Sequence, residues 1–217
     1  MSALKRGAAL IIGCVLLLCA CSIAEKVIDK PIEQQVMFTK KNMMIYPKLT
    51  KREETILDRT TEQYLIYEYQ IDKSYNHLRL WVEAYEKGNL ADLEVLLLNY
   101  EVKGSGTIIM NTIKKAESNA DNILSLSVTS GNGSNSSSIR TQLPKMSSDS
   151  TFTVWKSTIA GEKNIESEMI LGYMIHGYSN ETEPHNYEEL SENPQKLIKE
   201  LSANKEVYIL KSKFIKK

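Results

Sequence analysis

The side chains able to do chemistry in this 217-residue chain are few and unevenly placed. Its three cysteines, Cys14, Cys19 and Cys21, all fall within the first 21 residues, so no thiol nucleophile exists further along. The three histidines are His77, His176 and His185. A Ser-His-Asp relay needs a histidine to pass the proton, but none of the three sits in a nucleophile elbow and no Gly-x-Ser-x-Gly occurs. His77 and His176 fall at strand positions, which suit a hydrogen-bonded structural histidine. Glu181, Glu183, His185, Glu188 and Glu189 form an oxygen-rich cluster of the kind that holds calcium. Their spacing matches no EF-hand, and acids just ahead of a helix are favoured by its dipole, so they read as a solvated acidic loop. Met37, Met43 and Met44 offer the soft donors that copper(I) prefers, yet Met43 and Met44 adjoin Ile45 and Tyr46 in strand-like sequence and read as core. Nothing in the spacing singles out a carboxylate pair for glycoside cleavage. No catalytic residue, metal or cofactor is therefore assigned.

Aromatic residues are the remaining resource, with eleven tyrosines and two tryptophans. Flat rings are enriched at recognition sites. Tyr67 and Tyr69 share parity with Leu65 and Ile71, which is what a core face requires. Trp81 and Tyr85 instead share a face with Arg79 and Glu83 and are expected to be exposed. Arg79, Trp81 and Tyr85 are accordingly the candidate contacts with a ligand or partner.

The amino end carries a different chemistry. Lys5 and Arg6 precede an apolar run from Ala8 to Ala20, shorter than the roughly 20 residues that span a bilayer and laid out as an export signal. Leu18-Cys19-Ala20-Cys21 closes it. This tetrapeptide resembles the lipobox of bacterial lipoproteins, in which a leucine, a tolerant position, a small residue and the acylated cysteine stand in that order. Cys19 fits less well, because Leu18 would then occupy the small position. The resemblance covers only the first 21 residues. It implies cleavage between Ala20 and Cys21, lipidation of Cys21, and a lipid-anchored place at the extracytoplasmic face of the cell membrane. Such cleavage removes Cys14 and Cys19, so the mature fold has to be held by burial and hydrogen bonds without an internal disulfide. It also removes two of the 27 basic residues and none of the 27 acidic ones, leaving 25 against 27. That balance argues against nucleic acid as a partner.

The elements that must position these residues follow from hydrophobic periodicity. Residues 1–20 read as the signal, 21–35 as a polar tether containing Pro31, and 36–217 as one domain. Gln35 to Tyr46 holds a first strand, and Thr50 to Thr61 is charged enough for a loop or a short helix. Tyr64 to Ile71 and Tyr75 to Tyr85 alternate with period two, and Glu86-Lys87-Gly88-Asn89 turns the second back. Leu90 to Val102 reads as strand. Lys103-Gly104-Ser105-Gly106 reads as a hairpin turn before Thr107 to Ile113, since a phosphate loop needs a helix behind it. Asn122 to Thr129 follows, and Ser130 to Ser138, without an apolar residue, reads as a mobile surface loop. Thr151 to Ile159 and Glu168 to Tyr178 are strands, the latter with Met169, Leu171, Tyr173 and Ile175 in register. Asn193 and Pro194 start a short helix with Leu197, Ile198 and Leu201 as its stripe. Val207 to Ile215 is the last strand, its Lys-rich end at Lys211 to Lys217 reading as solvated.

Eight or nine strands without strand-helix alternation predict a mainly β protein, an antiparallel two-layer β-sandwich with one short C-terminal helix. The function that fits is non-enzymatic: a membrane-anchored surface lipoprotein that binds an envelope protein or peptide or assists a membrane complex. The alternatives are an immunity-type lipoprotein that sequesters a membrane-active peptide, and an envelope hydrolase.

Overall fold

The computed structural model describes residues 38–87, 89–113, 123–131, 133–143, 152–177, 193–201 and 206–217. Ala20 and Cys21 of the expected lipobox, the expected tether, Met37 and the acidic cluster around His185 lie outside the described residues. Within the compact unit Val36–Lys217 the elements are β1 (Met43–Ile45), α1 (Lys51–Thr60), β2 (Thr61–Gln70), β3 (Tyr75–Glu86), β4 (Asn89–Glu101), β5 (Ser105–Ile113), β6 (Ile123–Ser130), β7 (Asn135–Gln142), β8 (Phe152–Ser157), β9 (Glu162–Asn164), β10 (Met169–Gly177), α2 (Pro194–Leu201) and β11 (Glu206–Lys216). Six strands form one sheet in the order β7-β6-β5-β2-β1-β9, and five form the other in the order β4-β3-β11-β10-β8. The strands pair antiparallel throughout both sheets. The protein is thus mainly β, a two-layer antiparallel sandwich with a short helix near its C-terminus.

Alternation places the core where periodicity puts it. Leu65, Tyr67, Tyr69 and Ile71 line the inner face of the first sheet, and Leu78, Leu80 and Val82 that of the second, all buried in one cluster. Two tyrosine hydroxyls go into this interior and each needs an acceptor. Tyr67 donates to the Leu171 carbonyl at 2.5 Å, across the sandwich from β2 to β10. Tyr69 donates to the Thr129 carbonyl at 2.7 Å. Glycine makes room for both. A Cβ at Gly172 would stand 2.6 Å from Leu65, the Lys156 carbonyl and the Tyr67 hydroxyl, and one at Gly106 would collide with the Thr129 carbonyl and the Tyr69 hydroxyl. Burial pushes both phenols far above their ordinary value, with Ser157 beside Tyr67 and Ser130 beside Tyr69 working against it.

Both helices begin on caps. Thr50 and Glu53 form a capping box, with Thr50 Oγ1 accepting from the Glu53 amide at 3.3 Å and the Glu53 carboxylate accepting from the Thr50 amide at 2.7 Å. Asn193 Oδ1 accepts from the Lys196 amide at 3.1 Å at the start of α2. Leu197 and Leu201 then cover the outer face of the second sheet, packing on Ile170, Tyr173, Ile175, Val207 and Ile209.

Three expectations are corrected, and one short strand was not expected. The polar stretch from Ser130 is no loop beyond its turn, because β7 pairs with β6 from Ser130↔Asn135 to Ile123↔Gln142. A strand whose outer side chains are solvated needs only ladder hydrogen bonds, and serine supplies no apolar signal of them. The Gly104 segment is a corner between sheets rather than a hairpin, since β4 and β5 belong to different sheets; Gly104 takes φ +69 there, a region that disfavours other residues. In β10 the register shifts between Ile170 and Gly172. Met169 and Leu171 therefore face the main core and Tyr173 and Ile175 the helix-covered side, whereas unbroken alternation would put all four on one face. The three-residue β9, paired with β1, is too short to leave a periodic signal.

The Tyr67–Gly172 junction gives a stability prediction. Tyr67→Phe removes one donor while the Leu171 carbonyl keeps the Thr158 amide at 2.9 Å, so it should lower stability by about 1 kcal/mol. Gly172→Ala forces three neighbours apart and should be worse, by about 1–3 kcal/mol. Urea unfolding of the two variants checks the order, and a Gly172→Ala protein as stable as wild type contradicts it.

Candidate functional site

The three residues singled out from the sequence do lie together on the outer face of β3. Their organiser is Glu83. Its carboxylate accepts from Trp81 Nε1 at 3.1 Å and from the Tyr85 hydroxyl at 2.8 Å, and Lys211 Nζ from β11 stands 2.9 Å away. Arg79 pairs with Glu94 and lays its guanidinium over the Trp81 ring at 5.4 Å. Trp81 is only 7 % exposed, which corrects the expected exposure; Tyr85 and Arg79 are half-buried. The reason is positional. In register, Trp81 sits between Leu97 on β4 and Lys211 on β11, and Tyr85 packs on the apolar cluster beneath α2. Burial works to raise the Glu83 carboxyl, but the bonds from Lys211, Trp81 and Tyr85 and the lysine charge outweigh it and hold the group below its ordinary value. Burial and the same carboxylate push the Tyr85 phenol well up. The group is a satisfied ion pair with two aromatic donors, and it ties β3 to β11.

An open-sided cleft of about 450 Å³ lies elsewhere, where α1, the start of β2 and the end of β8 meet. Tyr46, Tyr64 and Trp155 supply its aromatic walls, Asp58 and Glu62 its carboxylates, and Lys156 a single ammonium. The sandwich core supports it from below, since Tyr46 packs edge-on against Tyr67 with centroids 5.6 Å apart. Burial raises the Tyr64 phenol, and the nearby charges of Asp58 and Glu54 raise it further. Burial and Tyr64 do the same to Tyr46. Two carboxylates against one ammonium, beside three partly exposed rings, suit a ligand with a positive charge on an apolar body. Sequence reasoning did not find this site. Tyr64 and Trp155 belong to different sheets, and neither spacing nor periodicity signals that β2 and β8 approach at this corner.

His176 lies inside the sandwich, 3 % exposed, with Nδ1 2.9 Å from Thr153 Oγ1 and its ring edge-on to Tyr208. Glu206 occupies the facing register position on β11. Burial pushes the imidazole down to about 4. His77 is exposed on β3. Met43 and Met44 are buried in the core. Among the described residues no group of three or more His, Cys, Asp or Glu side chains is placed to hold a metal ion, and no helix is long and apolar enough to cross a membrane.

Comparison with known proteins finds the YgaN domain family, whose pattern the chain matches over residues 46–214. That span runs from the cleft's Tyr46 to Phe214 in the last strand. No curated protein and no solved structure matches the chain.

Two predictions follow from these side chains. Lys211→Met strands the Glu83 charge on a buried face and should destabilise the fold by about 3–5 kcal/mol, with partial recovery on adding Glu83→Gln; thermal unfolding of the single and double variants measures both. His176 stays neutral in the fold while the unfolded chain takes up its proton near 6.5. Its contribution is therefore complete above that pH and is lost as pH falls toward about 4, by up to about 3 kcal/mol. His176→Gln should flatten that part of the stability-pH curve, and an unchanged slope would sink the assignment.

Proposed function

This chain belongs to the YgaN domain family, and we propose that it serves as a lipid-anchored binding protein at the extracytoplasmic face of the cell membrane. Its anchor is a diacylglycerol on Cys21, and its binding element is the cleft between α1, β2 and β8. The observation that carries the reading is the composition of that cleft, in which three aromatic side chains stand beside two carboxylates and one lysine. Rings of Tyr and Trp attract a cation through their faces, and the carboxylates of Asp58 and Glu62 add charge of the required sign. The ligand is then a solute or a peptide segment with an ammonium or guanidinium group on an apolar stem. Sequestration of a basic, membrane-active peptide is one specific form of this role, favoured by the same chemistry. Binding is preferred over envelope hydrolysis because His176 is spent inside the sandwich on Thr153, away from the residues that line the cleft.

The lipid anchor supplies location. Each buried methylene contributes about 0.8 kcal/mol, and two acyl chains hold a protein where one does not. Nothing in the chain after Cys21 contributes another cysteine for attachment.

Two measurements test the reading. Cys21→Ser should move the protein from the membrane fraction to the soluble one, and the mass of the wild-type amino end should carry the lipid. Titration of the unlipidated protein with a lysine-rich amphipathic peptide should quench Trp155 emission saturably. Asp58→Asn with Glu62→Gln should weaken that binding about tenfold, the loss expected for two charge-assisted contacts of modest strength. A Trp155→Phe variant, which keeps Trp81, is the control for signal from elsewhere. Absence of saturable binding by calorimetry would remove the cleft from the proposal.

A further inference from the structure

We propose that the end of the sandwich at which the chain enters the fold is a docking face for anionic phospholipid headgroups, an inference that rests on the Cys21 anchor. Four segments distant in sequence meet there and are laced by hydrogen bonds. Asn42, just before β1, bonds the turn between β2 and β3 through Asp72, with Nδ2 to Oδ2 at 2.9 Å and the Asp72 amide to Asn42 Oδ1 at 2.8 Å. The Ile71 amide donates to the Gly104 carbonyl at 2.8 Å, which brings in the corner between β4 and β5. The Lys217 amide donates to the Ser74 carbonyl at 2.9 Å, which brings in the end of β11. Asn42 holds φ +61 to make the first of these contacts, a conformation asparagine tolerates better than most side chains.

Each segment delivers lysine. Lys40 and Lys41 stand before β1, Lys73 in the turn, Lys103 at the corner and Lys216 and Lys217 at the end of β11, and all six are exposed. Acidic groups at this end are partly engaged. The Asp72 carboxylate accepts from the Ser74 amide and hydroxyl and from Asn42, and those bonds with the Lys41 charge hold it down at about 2. Glu162 is bonded by Thr39. Glu101 and Glu166 are the exposed acids that remain nearby. Ile215, 40 % exposed, adds an apolar side chain beside Lys216. The chain as a whole has equal numbers of acidic and basic residues, so this face is a local asymmetry and not a consequence of net charge.

Location and charge agree on one occupant. Asn42 ties the entering chain to this end, and the anchoring residue Cys21 stands 17 positions before Phe38, the first described residue. A chain of that length reaches at most about 60 Å. A leash of that length lets the basic face reach the leaflet and enter its surface potential, which decays over a Debye length of about 10 Å. Lipid attachment and a basic patch are the two signals that together make stable membrane association. The geometry has a consequence for the cleft. β2 runs from Thr61 beside the cleft to Gln70 beside the basic end, about 30 Å at strand rise, so headgroup docking turns the cleft away from the bilayer.

The test uses the unlipidated chain from residue 21 onward carrying Cys21→Ser, which contains the whole compact unit Val36–Lys217. It is sedimented with vesicles of phosphatidylcholine alone or mixed with phosphatidylglycerol, at low and high salt. Binding should require phosphatidylglycerol, disappear at high salt, and fall about fivefold for each lysine neutralised. The set Lys73→Gln, Lys103→Gln, Lys216→Gln and Lys217→Gln should therefore abolish it, and the charge-reversed set should do so at lower salt. Lys87→Glu, exposed just after β3 at the opposite end of that strand from Tyr75, should leave it unchanged. Circular dichroism of each variant separates loss of binding from loss of fold. Equal binding to both vesicle types, or retention by the four-lysine variant, overturns the proposal. So does retention on soluble dextran sulfate without vesicle binding, which would assign the face to a polyanion. The mass of the amino end of protein taken from cells tests the anchor separately, so failure of the anchor and failure of the face are told apart.

Discussion

Two phenol groups in an otherwise apolar interior constrain the rest of this sandwich. A buried hydroxyl without an acceptor costs about 1–3 kcal/mol, so the chain has to bring a carbonyl to each of Tyr67 and Tyr69. It does so with Leu171 from the opposite sheet and Thr129 from the same one. Each approach demands a position without a side chain, and Gly172 and Gly106 fill those positions. The bulge in β10 adjoins the first of them. It lets one strand serve the main core with Met169 and Leu171 and the helix-covered side with Tyr173 and Ile175.

The candidate cleft inherits its shape from this arrangement. Tyr46 leans on the Tyr67 ring, Leu65 and Ser157 form part of the lining, and Gly172 allows β10 to approach Leu65 and the Lys156 carbonyl. A cleft where β2 and β8 approach is thus a by-product of how the sheets are pinned. Its chemistry is supplied afterwards by residues of α1, β2 and β8 that solvent can reach. The helix itself buries none of its residues, which leaves capping and its junction with β2 as what holds it in place.

The second sheet handles polarity differently. Its outer face carries an apolar half covered by α2 and a polar half organised on Glu83. The carboxylate accepts from an indole, a phenol and an ammonium, so the charge has partners although it is buried. That is why a tryptophan on the face opposite the main core is hidden. β11 of the same sheet ends in Lys216 and Lys217, beside the lysines that precede β1 and stand in the turns, so one molecule holds a basic end and a distant aromatic, acidic cleft.

The alternation of Leu65, Tyr67, Tyr69 and Ile71, and of Leu78, Leu80 and Val82, determined by itself which faces are buried, because period two admits one answer when one side of a strand meets a core. Asn193 and Pro194 likewise fixed where α2 begins, since capping is a local interaction. The sequence also carries Leu18-Cys19-Ala20-Cys21, whose resemblance to a lipobox is read residue by residue. Tertiary structure alone decided the rest. Which sheet each strand joins turned the Gly104 segment into a corner. The ladder with β6 made a strand of serine-rich residues with no hydrophobic signature. The bulge at Gly172 reset parity in β10, and the approach of β2 to β8 placed Tyr64 beside Trp155. These outcomes depend on contacts between segments tens of residues apart, and a spacing rule reports only on neighbours along the chain.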